Sequence, residues 1–581
     1  MFEKLIIYNH KIIMERIIEC VPNFSEGRDM AIINRIVESI EKSGGVKVLD
    51  VDPGEATNRT VVTFVGSPEN VLEAAFNGVK KAGELIDMRH HKGAHPRSGA
   101  TDVLPLIPIA GITLEECAEL ARGLAERIYR ELEIPCYCYE AAALKPERKN
   151  LAVCRAGEYE ALPEKMSDPE KAPDFGPGKY TERTAISGAT NVGARDFLIA
   201  VNFNLNTTST RRANAIAFDV REKGRPVREG NPITGKIVKD EHGNPVMKPG
   251  TLKGCKAIGW YIDEYGIAQV SMNITDINAT PLHVAFEEVC RAARERGIRV
   301  TGTEIVGLVP KRTLIEAGKY FLAKQQRSLG ITEEGIIRCA VKSMGLDDLK
   351  PFDPKEKVIE YMMVSEEEAA AASRLVRMTC KGFAEETASE SPAPGGGSIS
   401  AYMGALGAAL GTMVANLSAH KPGWDERWKE FSDWAEKGQT VMRELLALVD
   451  EDTAAFNKIM DVFAMPKGTE EEKAARAQAM ETATLYATEV PLRTMKASFK
   501  AFEVIRAMAE TGNPNSVSDA GVGALAARSA VLGACLNVKI NAGSLKDKAR
   551  AAELIGEAEK IASDARRQEE EILAIVESKI K

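Results

Sequence analysis

Two stretches of this chain repeat one succession of periods, and that repeat limits the fold more than any other feature. In the first, an extended run over Ile17 to Val21 precedes an amphipathic helix from Asp29 to Ser43, closed by Gly44 and Gly45. Extended runs follow over Val46 to Val51 and Thr60 to Val65, with a turn at Asp52-Pro53-Gly54 between them. Ser67 caps a second helix with Pro68 at its first position, and Val103 to Ile109 returns to strand pattern. The order is β-α-β-β-α-β, the split βαβ or ferredoxin-like pattern. A helix from Thr113 to Leu132, with Thr113 and Glu116 as a capping box, and a strand from Ile134 to Tyr139 extend it. The same order returns over Phe197 to Leu205, Ser209 to Glu222, Ala257 to Ile262, Ala268 to Asn273, Thr280 to Arg296 and Ile298 to Val306. Within this second copy, Gly224 to Lys253 is rich in Gly, Pro and charge and reads as a surface hairpin or loop.

After about Met363 the pattern changes. Ser365 to Ala372 is an acidic, alanine-rich connector, and almost everything beyond it has helical period. Breaks near Pro392–Gly397, Lys421–Gly423, Pro466–Gly468, Gly512–Pro514 and Gly543 divide the region into about six helices, an up-and-down bundle by its loop lengths. The expected fold class is therefore α+β followed by all-α: two ferredoxin-like subdomains plus a C-terminal helical bundle. The expected divisions are an N-terminal extension (1–14), two subdomains (15–194 and 195–363), a linker (364–373) and the bundle (374–581). Ile399 to Ala419 carries no charge, and Gly407 and Gly411 have GxxxG spacing. A membrane helix is formally possible, but so much Gly, Ala and Ser without a partner span favours a buried bundle helix. Met1 to Ile13 lacks a small-residue cleavage site and reads as an extension rather than a signal peptide. A net charge of −8 argues against general nucleic-acid binding, and ten scattered cysteines fit reduced thiols in a cytosol.

Three of the seven histidines fall between His90 and Asp102, beside Lys92, Arg97, Gly93, Gly99 and Pro96. Glycine and proline forbid a regular helix here, so the segment is a loop that gathers titratable groups. It is either a functional loop or a solvated basic one. Asp174-Phe175-Gly176-Pro177-Gly178-Lys179-Tyr180 and Ser187 to Arg195, with Gly188 inside it, join the two copies. They read either as a clamp for a flat anionic ligand, with Arg195 facing a carboxylate, or as a plain linker. In the bundle, Leu445, Leu448, Val449, Asp452, Phe456 and Ile459 share one helical face. A carboxylate in an apolar stripe has a raised pKa and can donate a proton at neutral pH, or it is half of a salt bridge. Gly395 to Gly397 before Ser398 leave free N–H groups at a helix start, either an anion seat or an ordinary turn.

Several contiguous motifs carry a resemblance to a known family. Cys20-Val21-Pro22-Asn23-Phe24-Ser25-Glu26-Gly27, Leu49-Asp50-Val51-Asp52 with Thr57-Asn58-Arg59-Thr60-Val61, and His91-Lys92-Gly93-Ala94-His95-Pro96-Arg97 resemble glutamate formimidoyltransferase. Arg155 to Leu162 and the Asp174–Pro177 loop continue the match. Pro394-Gly395-Gly396-Gly397-Ser398, Val449-Asp450-Glu451-Asp452 and Ser516 to Gly521 resemble formimidoyltetrahydrofolate cyclodeaminase. Order and fusion match the bifunctional formimidoyltransferase-cyclodeaminases of histidine breakdown. The N-terminal extension and the longer 224–253 insertion depart from the animal form and leave the motifs intact.

The resemblance implies two reactions. A formimino group passes from N-formimino-L-glutamate to N5 of tetrahydrofolate, and 5-formiminotetrahydrofolate then cyclises to 5,10-methenyltetrahydrofolate with loss of ammonia. It implies His95 as the base that takes the N5 proton, and Asp452 as the acid that protonates the leaving nitrogen. Asp52 becomes the orienting carboxylate by analogy with other histidine–carboxylate pairs. Gly176, Pro177, Gly178, Lys179, Tyr180 and Gly188 belong to the matched folate-binding loop, and Arg195, Lys92 and Arg97 are candidates for substrate carboxylates. Tetrahydrofolate, in polyglutamylated form, is the expected co-substrate, with no metal, no nucleic-acid partner and no membrane. A cytoplasmic homo-oligomer is expected, and a held glutamate tail would let the pterin pass between sites. Rival readings are a metal amidohydrolase on His90, His91 and His95, a non-catalytic bundle, and a methenyltetrahydrofolate cyclohydrolase bundle.

Overall fold

The computed structural model describes residues 16–54, 58–92, 97–230, 235–363 and 374–580. The expected extension, the expected linker and His95 lie outside the described residues. The chain forms two compact units. One is Met1–Thr313 with Met344–Met363, and the other is Leu314–Ser343 with Val364–Lys581. The first is built on sheets and the second is helical among its described residues, the coarse order that the periods predict.

The first sheet begins with one interrupted strand, β1 (Ile17–Cys20) and β2 (Asn23–Phe24). The break falls at Val21-Pro22, where proline has no N–H to give a ladder. Both pieces lie between β4 (Arg59–Gly66) and β5 (Thr101–Ala110), and β3 (Val46–Gly54) pairs with β4 on the far side, all antiparallel. Parallel to β5 run β7 (Thr190–Ala194) and then, outside it, β6 (Cys136–Glu140). Strand β7 lies within the Ser187–Arg195 stretch expected to be a joining segment, and pairs there between two parallel neighbours. Three helices cover one face. Met30–Glu41 is capped by Asp29, Pro68–Leu85 by Ser67, and Leu114–Leu132 by the Thr113/Glu116 capping box. Their buried Ile36, Ile40, Val71, Val79 and Leu124 meet Ile18, Cys20, Phe64, Leu104 and Leu106 of the sheet. Apolar surface leaving water drives this layer, at about 25 cal/mol per Å².

The second sheet holds β8 (Ile199–Leu205), β11 (Cys255–Ile262), β12 (Ile267–Ile274) and β13 (Val300–Val306), and β9 (Arg225–Pro226) and β10 (Met247–Lys248) form a separate short ribbon between β8 and β11 in the chain. The sheet order is β11-β12-β8-β13, wholly antiparallel, and the separate β9–β10 ribbon lies within the expected insertion. Helices Thr210–Val220 and Leu282–Arg294 contribute buried Ile216, Val220, Leu282 and Val289.

In the helical unit the helices after residue 374 are Cys380–Thr387, Gly396–Ala419, Trp428–Phe463, Glu470–Thr511, Val517–Gly543 and Lys548–Lys579. They break where Pro and Gly predict. Among the described residues two segments, Gly396–Ala419 and Pro514–Gly543, are long and apolar enough to cross a membrane, and 61% and 50% of their most apolar windows are buried inside the protein. Small residues permit that packing. A Cβ on Gly407 would lie 2.9 Å from Gly523 O, and one on Gly411 would lie 3.1 Å from Ile505 Cγ1. The Leu314–Ser343 segment is pinned to the bundle through its backbone. Ser328 N donates to His420 Nε2 (3.1 Å), Leu329 N donates to Ser432 Oγ (2.9 Å), and Gly330 O accepts from Asn416 Nδ2 (2.9 Å).

Candidate active sites

The ends of the His-rich loop are held by named contacts. Asn58 sits in left-handed geometry (φ 49°), and its Oδ1 accepts Gly27 N at 3.0 Å while its Nδ2 donates to Lys92 O at 3.0 Å. His91 Nε2 lies 2.9 Å from Asn58 O, and Arg97 Nε donates to His91 Nδ1 at 3.4 Å. A carbonyl only accepts and a guanidinium only donates, so the His91 hydrogen is on Nε2. Arg97 also donates to Glu158 Oε2 (2.8 Å) and to both oxygens of Glu160 (2.6 and 2.9 Å). Its expected carboxylate partners are thus supplied from within the chain. Tyr159 N closes the far end on Arg97 O at 2.9 Å. Lys92 is exposed, and His90 is solvated with its side chain 82% accessible.

Behind this loop lies a carboxylate that sequence reasoning missed. Asp102 is 1% exposed, accepts Ser98 N at 2.9 Å, and pairs with the Arg155 guanidinium through both oxygens. Asn191 on β7 donates to Asp102 O (2.9 Å) and Ser98 Oγ (3.3 Å). Arg59 sits within the field of Arg155, Asp102 and Asp52, and burial beside a second guanidinium holds its pKa below the usual arginine value. Asp52 itself is exposed, opposite Val61 on β4.

The Asp174–Tyr180 loop is clamped at its start. Asp174 accepts Cys138 N (2.8 Å) and pairs with Arg148 (2.5 Å), and Phe175 exchanges backbone hydrogen bonds with Cys136. Gly176 and Pro177 are half-buried, Gly178 takes φ 60°, and Lys179 points to solvent. Tyr180 Oη donates to Tyr159 Oη (3.2 Å), which joins this loop to the end of the histidine loop. Gly188 takes φ 65° and bridges to Gly99, where a Cβ would run into Ser98 O. Arg195 follows β7 and donates to Asp196 O (3.1 Å). Its charge opposes the burial that pushes the Glu19 carboxyl on β1 up to about 7.

The second sheet adds a further polar face. Gln269 Nε2 donates to Asn204 Oδ1 (2.8 Å), Asn202 Nδ2 to Glu304 Oε2 (3.0 Å), and Trp260 Nε1 to Gln269 Oε1 (3.0 Å). The alternation Asn202-x-Asn204 inside an apolar strand was the available sign of it. Among the described residues no group of three or more His, Cys, Asp or Glu side chains is arranged to hold a metal ion.

In the helical unit Asp452 lies against the start of the Gly396–Ala419 helix. Ser398 Oγ is 3.1 Å from Asp452 Oδ2, and the Ser398 N–H also bonds the carboxylate. The helix has no side-chain cap of its own, so Asp452 fills the seat that the glycine run leaves open. A Cβ on Gly397 would collide with the carboxylate where it now lies, so the close approach depends on the glycine. Burial raises the Asp452 pKa, and the Ser398 hydrogen bonds hold it down. Neighbouring carboxylates are otherwise engaged. Asp450 accepts Leu375 N (2.8 Å), and Glu451 accepts the Tyr486 hydroxyl (2.6 Å) and pairs with Arg493. Leu445, Leu448 and Val449 on the same helix are buried, the apolar stripe that the spacing predicts.

Comparison with known proteins gives three domain matches. Residues 17–195 match the formiminotransferase domain, N-terminal subdomain; residues 200–364 match the formiminotransferase domain; and residues 379–560 match formiminotransferase-cyclodeaminase. A mouse formimidoyltransferase-cyclodeaminase is 40% identical over 92% of this chain and 94% of its own length. The chain belongs to the formimidoyltransferase-cyclodeaminase family. Parts of it match shorter proteins as well. A glutamate formimidoyltransferase of Streptococcus pyogenes serotype M1 is 41% identical over 53% of this chain and 94% of its own. A methenyltetrahydrofolate cyclohydrolase of Methylorubrum extorquens is 38% identical over 35% of this chain and 97% of its own. Within the family frame, the histidine-loop contacts fall in the formiminotransferase segments and Asp452 falls in the formiminotransferase-cyclodeaminase segment.

Proposed function

We propose that the chain is a bifunctional folate enzyme. It transfers the formimino group of N-formimino-L-glutamate to N5 of tetrahydrofolate. It then closes 5-formiminotetrahydrofolate to 5,10-methenyltetrahydrofolate and releases ammonia. The observation that carries this reading is the match of three successive segments, in order, to the family's domains, and of 92% of the chain to a relative named for both activities.

In the first unit His95 takes the proton from N5 as it attacks the amidine carbon, with Asp52 as the orienting carboxylate. Asn58 Nδ2 holds Lys92 O and Tyr159 N holds Arg97 O, contacts of the described residues on either side of His95 in the sequence. The Gly176–Gly188 segment holds the folate, and Lys92 and Arg195 meet substrate carboxylates. Arg97 acts by orienting His91. In the helical unit N10 attacks the formimino carbon, and the carbon–nitrogen bond to the leaving amine breaks. The N10 proton passes to the imine nitrogen as the ring closes, and Asp452 supplies the further proton that lets that nitrogen depart as ammonia and leaves the methenyl cation; its raised pKa supports that role. The shared strand order of the two sheets supports reading both as ferredoxin-like copies, divided near residues 194 and 363 from the rest, with an up-and-down bundle after 374. We further propose polyglutamylated tetrahydrofolate as the working co-substrate, a place in histidine breakdown, and a cytoplasmic homo-oligomer.

A two-step assay tests the division of labour. His95→Ala is expected to abolish formimino transfer and keep ring closure of supplied 5-formiminotetrahydrofolate, and Asp452→Asn is expected to do the reverse. Equal loss of both steps in either variant overturns it. A second reading has its own support. The cyclohydrolase match supports reading the helical unit as a methenyltetrahydrofolate cyclohydrolase, and absence of ammonia from 5-formiminotetrahydrofolate would favour that alternative.

A further inference from the structure

Ser398 has more acceptors than hydrogens. Its side chain is fully buried in the first turn of the Gly396–Ala419 helix. The hydroxyl oxygen lies 2.8 Å from Val449 O, 3.1 Å from Asp452 Oδ2 and 3.2 Å from Thr453 Oγ1. The first is a carbonyl and the second, when ionised, a pure acceptor, yet a serine hydroxyl has one hydrogen to give. We propose that Ser398 is a positioning residue for the helical-unit carboxylate, its one hydrogen turning between Val449 O and Asp452 Oδ2 as Asp452 holds or releases its proton. This rests on reading Asp452 as the proton donor of ring closure.

Both protonation states are then satisfied. With Asp452 neutral, Ser398 donates to Val449 O, and its lone pairs accept the Asp452 carboxyl hydrogen and the Thr453 hydroxyl. When Asp452 passes its proton to the leaving nitrogen, the Ser398 hydrogen swings to the new carboxylate. Val449 O, inside a long helix, keeps its backbone partner. A half-buried carboxylate gains from a second donor beside the Ser398 N–H, so this rotation favours the proton-donating direction. Gly397 completes the arrangement, because only a missing Cβ lets the carboxylate come this close.

The charged neighbours are occupied elsewhere. On the Asp452 helix, Asp450 caps Leu375 and Val376, and Glu451 pairs with Arg493 and Tyr486 of the Glu470–Thr511 helix. Lys458 lies over the Tyr486 ring at 4.1 Å. From the Val517–Gly543 helix, Asn537 is the near residue at Gly396, and Lys539 pairs with Glu559. The Gly396–Ala419 helix has no charged residue.

The test is the pH profile of ammonia release by the full-length protein with 5-formiminotetrahydrofolate, for wild type, Ser398→Ala, Ser398→Cys and Asp452→Asn. A general acid works protonated, so the rate falls as pH rises through its pKa. Removing a hydrogen bond to the carboxylate is expected to move that alkaline limb up by about one pH unit and to lower kcat about tenfold. Ser398→Cys, a weaker donor of similar shape, is expected to fall between Ser398→Ala and wild type. A limb that stays in place in folded variants overturns the proposal while Asp452→Asn is inactive. If Ser398→Ala does not fold, an unmoved limb in Ser398→Cys overturns it alone. Wild-type ammonia release by Asp452→Asn removes instead the reading on which the proposal rests.

Discussion

At the scale of single residues, the helical-unit site depends as much on a missing atom as on a carboxylate. Asp452 stands at a helix start, where unpaired N–H groups and the helix dipole favour negative charge, while burial favours the neutral acid. The two influences oppose each other, and Gly397 sets the distance at which they do so. Gly397→Ala is expected to push the carboxylate away and to slow ring closure about 100-fold, the order of effect of a 1 Å misplacement. Formimino transfer should stay at its wild-type rate. Separate assays of the two steps check this, and an alanine variant with unchanged ammonia release would mean that the close approach is not needed.

At the scale of elements, most of the architecture was legible in the sequence, and the exceptions have physical causes. Helices with Asp29, Ser67, Thr113 and Ser209 as caps appear where those residues predict, because a short polar side chain before an apolar stripe has few other uses. Strand β7 escaped notice because Thr-Asn-Val-Gly-Ala has neither alternation nor bulk. A strand buried on both faces between parallel neighbours needs neither. Its Gly193 packs under the Tyr139 ring, where a Cβ would lie 2.5 Å from a ring carbon. Gly193→Val improves intrinsic strand preference and is nevertheless expected to destabilise the first unit by about 1–3 kcal/mol through overpacking. Urea unfolding followed by tyrosine fluorescence measures it, and a neutral or stabilising result would contradict that packing. The site was legible to a different degree. Asp452 could be found because one helix carries both the acid and its apolar frame. Asp102, Arg155 and Asn191 come from three separate segments, and no spacing in the sequence announces that they meet.

At the scale of the whole molecule, Glu19 carries a predictable pH dependence. Burial lifts its folded pKa from 4.5 to about 7, with Arg195 opposing. Between those values the folded protein binds a proton that the unfolded chain does not, so stability must fall as pH rises through that window. The full effect is about 3 kcal/mol. Glu19→Gln should flatten the change in urea midpoint between pH 5 and pH 8, and an unchanged slope would show that the carboxyl titrates elsewhere.

The grouping of Leu314–Ser343 with the helices beyond residue 374 has a consequence for how the polypeptide can be severed. The backbone passes between the two units three times, after residues 313, 343 and 363. A protease site engineered between residues 363 and 374 would therefore yield two polypeptides that stay bound, because the N-terminal product carries Ser328, Leu329 and Gly330 to their partners His420, Ser432 and Asn416. Two bands on a denaturing gel and one peak on a sizing column are expected. In the topological sense the halves of this protein are laced together rather than joined end to end, and no single scission unlaces them.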